Sequence, residues 1–138
     1  MIQATVQQAL TAFPALQRLS AVPLGAKAAW RLSRLLGKVK SVIIDFETTQ
    51  KQIFLDAGGV VVGNQLSILE PMRNGQDDAA WELFMNAHKA KIVALTEQMN
   101  ELMSESIEIA YEPIDIGLFG DAKVSANDLE EAGPFLKE

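Results

Sequence analysis

One histidine, 18 carboxylates and no cysteine bound the chemistry open to this chain of 138 residues. Without cysteine there is no disulfide, no thiolate nucleophile and no cysteine-based zinc or iron–sulfur site. His88 by itself cannot build a histidine-rich metal centre, although it is the one side chain that ordinarily titrates near neutrality. No serine nucleophile in a recognisable turn accompanies it, and it falls on the apolar stripe of a helix, as a core or interface histidine does. Asp77, Asp78 and Glu82 suit the start of that helix, where capping explains them more simply than metal ligation. Glu105, Glu108, Glu112 and Asp115 are spread around a strand, and paired carboxylates do acid–base work only when held in a dry cleft. Gly58, Gly59 and Gly63 lack the lysine and hydroxyl of a phosphate loop and the glycine spacing of a dinucleotide fold. These residues predict no enzyme, no cofactor, no metal and no small-molecule substrate.

The basic residues form a stronger pattern. Residues 1–44 contain Arg18, Lys27, Arg31, Arg34, Lys38 and Lys40 without one acid, a net of +6, while residues 45–138 hold all 18 acids against six bases, a net of −12. The overall charge of −6 hides this division. Lys27, Arg31, Arg34 and Lys38 recur at three and four, which places them in one stripe on a helix with Trp30 close by. Such a stripe is a solvated face, or a surface for an acidic partner such as the C-terminal half of a neighbouring copy. Nucleic acid phosphates are a third possibility, disfavoured by the acidic total and by the lack of a recognised binding motif.

The elements that carry these residues give a mainly α (α+β) fold, expected as a single domain over 1–138. Hydrophobic residues at 49% and charged ones at 22% are those of a globular chain. An N-terminal arm (1–25) begins with a short helix over Gln3–Phe13, which Pro14 is expected to stop, with another turn at Ala15–Leu19. An antiparallel helical hairpin (26–104) follows. Its first helix, Ala26–Leu55, carries Leu32, Leu35, Leu36, Val39, Val42, Ile43, Phe46 and Ile53 at helical spacing. Gly58 is its expected left-handed cap. The connector (58–76) contains two short strands, Val60–Val62 and Gln65–Leu69, around Gly63-Asn64, and then a loop. The second helix, Asp77–Ser104, presents Trp81, Phe84, Met85, His88, Ile92, Leu95, Met99 and Leu102 on one face, with Glu97, Gln98, Asn100 and Glu101 outside. In the C-terminal piece (105–138), Ile107, Ile109, Tyr111, Ile114, Ile116 and Leu118 alternate as in a strand, with Pro113 marking an edge or bend. A short helix N-capped by Ser125 ends at Gly133-Pro134, and Phe135 and Leu136 form a terminal apolar plug. Strand addition to another chain makes Ile107, Tyr111, Ile114, Ile116, Phe135 and Leu136 candidate contacts; pairing with Val60–Leu69 is the internal alternative. No apolar run approaches the ~20 residues that span a bilayer, and Met1–Ala4 is unlike a signal peptide, so a soluble cytosolic product is expected.

Element order and short motifs together resemble a known group. A lysine followed by Trp-Arg-Leu (Lys27–Leu32) opens a long helix that ends at Asp56-Ala57-Gly58-Gly59. A polar connector, a second helix, and a Glu-Pro-Ile-Asp-Ile strand within Glu105–Ile116 come next, then Val124–Leu129 and Gly133–Leu136. This layout resembles small proteins encoded among the structural and morphogenesis genes of tailed bacteriophages. The resemblance implies a non-enzymatic virion protein of the tail, neck or capsid, made in the host cytoplasm, whose partners are other virion proteins and copies of itself. Two alternatives are an assembly chaperone absent from the mature particle and a small nucleic-acid-binding regulator acting through the basic stripe.

Overall fold

Thr5 is where the chain first commits to a regular structure. Its hydroxyl accepts from the Gln8 backbone N–H at 3.1 Å, and the Gln8 side chain accepts from the Thr5 N–H at 2.9 Å. This reciprocal capping box satisfies two of the donors that a helix start leaves unpaired. The computed structural model describes residues 1–63, 65–67 and 75–138. It is mainly α, with short two-stranded pairings: β1 (Ile2–Thr5), α1 (Val6–Ala21), α2 (Ala26–Asp56), β2 (Val60–Val62), β3 (Gln65–Ser67), α3 (Asp78–Met103), β4 (Ser106–Ile109), β5 (Ile114–Asp115), α4 (Ala126–Ala132) and β6 (Leu136–Lys137).

The chain divides into two compact units, residues 1–46 with 103–138 and residues 47–102. The first holds the main core. There α1 buries Val6, Ala9, Ala12, Ala15, Leu16 and Leu19, and α2 contributes Ala28, Leu32, Leu35 and Val39. Pro14 does not stop α1 but sits exposed inside it. A mid-helix proline costs about 3 kcal/mol, which the burial of six apolar side chains outweighs at ~25 cal/mol per Å². The N-terminal residues before Val6 are strand rather than helix. β1 pairs antiparallel with β4, with Ile2 opposite Ile109 and Thr5 opposite Ser106. The partner of the C-terminal strand is therefore β1, and β2 pairs with β3 instead.

Regular alternation ends earlier than Leu118. β5 covers only Ile114–Asp115, pairs parallel with β6, and runs into a 3-10 turn over Ile116–Phe119. The Asp115 carboxylate accepts from the Gly117 N–H at 2.8 Å, a local bond that competes with extended backbone. Ser125 does occupy the N-cap position of α4, but its side chain makes no capping bond. Arg18 on α1 clamps α4, its guanidinium 2.7 Å from Asp128 and 2.7 Å from Glu131.

In the second unit, α2 ends as its sequence predicts. The Gly59 N–H donates to the Phe54 carbonyl and the Gly58 N–H to the Leu55 carbonyl, with Gly58 at φ +86°. This is the Schellman arrangement, in which glycine takes the left-handed position. β2 and β3 form the expected hairpin, Val61 opposite Leu66; the expected extension to Leu69 and the loop over 70–74 lie outside the described residues. Asp77 starts α3, its carboxylate accepting from the Ala80 N–H at 2.7 Å. The last turns of α2 and the body of α3 run antiparallel. Phe54 shares a groove with Leu95 and Met99, and a Cβ added at Gly58 would lie 3.7 Å from Lys91 Nζ.

Candidate functional site

A helix turns about 100° per residue, so Lys27, Arg31, Arg34 and Lys38 fall within a narrow stripe some 16 Å long. The stripe lies roughly a quarter turn from the buried positions Ala28, Leu32, Leu35 and Val39, which fix its direction by holding α2 against the core. Lys27 and Arg34 are exposed, while Arg31 and Lys38 are half-buried. Among the described residues, none of the four forms an ion pair within the chain. Arg18, by contrast, is neutralised by Asp128 and Glu131, and its hydrogen bond to Asp128 is the main cause that raises its pKa above the ordinary guanidinium range.

Trp30 lies on the far side of the stripe from the core and is 65% exposed. The Arg34 guanidinium sits over its ring, 5.6 Å from the centroid, a cation–π geometry. Beside them is an open groove of about 730 Å³ lined by Met1, Lys27, Trp30, Arg31, Ala110, Tyr111 and Glu112. The Glu112 carboxylate lies 3.5 Å from the Met1 amino group. The fold thus joins Lys27 and Arg31 to Tyr111, a residue 80 positions distant in the sequence, because β4 returns alongside β1 and releases the chain next to α2.

Other expected contact residues are placed inward. Ile114 and Phe135 are fully buried at 0% exposure, so their side chains are not available to another chain. Ile107, Tyr111, Ile116 and Leu136 are half-buried and pack against the same core cluster. The terminal plug closes the chain's own first unit, and Leu136 pairs with Ile114 across β5 and β6. His88 is half-buried on α3, seven residues from the buried Leu95 on the same side. No group of three acids or histidines that could hold a metal ion occurs among the described residues, and no described helix is long and apolar enough to cross a membrane.

The surface that sequence reasoning missed is on α3. Leu95 is its single buried residue, whereas Leu83 is 73% exposed and Val93 57%. The outer face is polar only near its C-terminal end. Ala79, Leu83, Ala87, Ala90 and Ala94 precede Glu97 and Glu101 there, all of them exposed. Their spacing of three and four was the available signal, masked by the stronger stripe of Trp81, Met85, Ile92, Leu95 and Met99.

No protein family matches this sequence, no curated protein is significantly similar to it, and no solved structure resembles it at a significant level.

Proposed function

We propose that this chain is a non-enzymatic structural or accessory subunit of a bacteriophage particle, in its tail, neck or capsid, that binds neighbouring virion subunits and copies of itself. The observation that carries the assembly reading is the uncovered surface of α3. That helix has 26 residues and one buried side chain, with Leu83, Phe84, Ile92 and Val93 between 39% and 73% exposed. Large apolar side chains left in water on a helix so little covered favour association with another surface, because leaving them there forgoes ~25 cal/mol per Å². The phage context rests on the order of elements and on the motifs at Lys27–Leu32, Glu105–Ile116, Val124–Leu129 and Gly133–Leu136. Unequal charge favours ordered rather than random association, since the acidic end of α3, with Glu97 and Glu101 exposed, attracts basic surfaces on neighbours.

Two measurements test this reading. Light scattering on the purified protein should show self-association that increases with concentration, and mass spectrometry of purified particles should find the chain. A stable monomer absent from particles would overturn the proposal. Presence in assembly intermediates with absence from mature particles would replace it with a transient assembly chaperone.

A further inference from the structure

We infer that the Lys27–Lys38 stripe, together with the groove beside Lys27, Trp30 and Arg31, binds single-stranded nucleic acid, with phosphates along the cations and a base against Trp30. Three features combine. The stripe supplies one cation per helical turn, and a repeated positive charge matches the repeated negative charge of a strand. Among the described residues these cations have no acid partner in the chain, so a phosphate does not have to displace an existing ion pair. Trp30, 65% exposed and with Arg34 across its ring, offers a flat surface in the same place. Bases stack on such aromatic surfaces whatever their sequence.

The groove beside Trp30 has room for the stacked base. Its volume is about 730 Å³, and Tyr111 lines it together with Lys27 and Arg31. Glu112 is the one carboxylate in that lining, and the Met1 amino group 3.5 Å away opposes its charge. An acidic protein surface would complement the cations but brings a ring for the indole only where an aromatic side chain happens to lie beside its acids, whereas every nucleotide carries phosphate and ring together. A nucleic acid strand provides both charge and ring, and this favours it over an acidic protein. A double helix is a poorer fit, since its bases are stacked on one another and not offered to a side chain.

The test is fluorescence anisotropy with labelled oligo-dT and oligo-rU of about 20 nucleotides, longer than the ~4–16 nucleotides that one such surface usually covers. Four phosphate contacts on a single strand give a slope near −2.8 in log K against log salt, or about a 50-fold loss of affinity between roughly 50 and 200 mM salt. Neutralising Arg31→Gln with Arg34→Gln should weaken binding and reduce the slope by about 1.4. Trp30→Ala should weaken it about 5- to 150-fold, as loss of one stacked base does. All three positions are on the surface or half-buried, and circular dichroism of the variants checks that the fold is kept. In a Trp81→Phe background, oligo-dT should quench the fluorescence of Trp30, the other tryptophan. The inference is overturned if neither oligonucleotide binds at low salt, or if the arginine variants bind as the parent does. It is equally overturned if polyglutamate displaces the oligonucleotide with the same salt slope and Trp30→Ala has no effect, which would make the stripe a docking face for an acidic protein.

Discussion

Gly58 and Arg18 show what single residues do here. Gly58 holds φ +86° at the end of α2, and its open surroundings leave room for a methyl group, with Lys91 Nζ at ordinary contact distance. Gly58→Ala should therefore cost about 1–2 kcal/mol from the left-handed backbone alone, measured as a lower urea midpoint. Arg18 joins α1 to α4 through Asp128 and Glu131 at the surface. Its pKa is raised, so on the arginine side the favourable contact is fully present below the ordinary guanidinium range, while both carboxylates are charged, and is lost as pH rises through the higher folded value. On the arginine side, stability should be flat across neutral pH. Arg18→Gln should lower the thermal midpoint at low ionic strength, and the difference should shrink in 1 M salt, where the screening length falls to about 3 Å. A gap that survives high salt would mean that Arg18 acts through packing of its stem.

At the scale of elements, the capping box and the β1–β4 pair together set where α1 begins. Thr5 is both the last residue of β1 and the N-cap of α1. Thr5→Ala should cost about 1 kcal/mol, less than loss of a core anchor. Ile2 is 2% exposed and opposite the buried Ile109, and Ile2→Ala should cost about 2–5 kcal/mol. Phe135 is fully buried and should cost about 3–5 kcal/mol on truncation to alanine. These values are readable from chemical denaturation. If Phe135→Ala is instead neutral for folding but disrupts assembly, the terminal plug belongs to a partner after all. Parts of these elements were legible in the chain: both long helices, the Schellman end at Gly58-Gly59, the Asp77 cap and the Val60–Val62 strand follow from local spacing and local chemistry. The strand at Ile2–Thr5 was not, because its apolar–polar alternation is only four residues long, too short to stand out against the helical spacing of Val6, Leu10 and Phe13, and its partner β4 is distant in the sequence. Pro14 was misleading for a related reason. Its cost is local, and the burial that offsets it belongs to α4, β4 and α2.

For the whole molecule, exposure of α3 is the property with consequences. Leu83→Glu with Val93→Glu should shift light scattering toward the monomer while leaving the unfolding midpoint within about 0.5 kcal/mol of the parent, as for surface substitutions generally. Both side chains are more than half exposed, so a large loss of stability would show that they are covered within the folded monomer. The charge division also looks different once folded. Of the six cations in residues 1–44, Arg18 is neutralised by C-terminal acids in the same chain, while among the described residues the four of the α2 stripe and Lys40 form no ion pair and are left for an external anion.

The sequence by itself determined the helical character, the ends of α2 and α3 and the stripe of cations, because each depends on residues within a few turns of one another. Tertiary structure decided the rest. It paired residues 2–5 with 106–109, turned Ile114 and Phe135 into core, carried Tyr111 next to Lys27 and Arg31, and left Leu83 and Val93 in solvent. Those outcomes depend on which distant surfaces meet, and spacing along a chain is silent about the direction in which a helix face will find its cover.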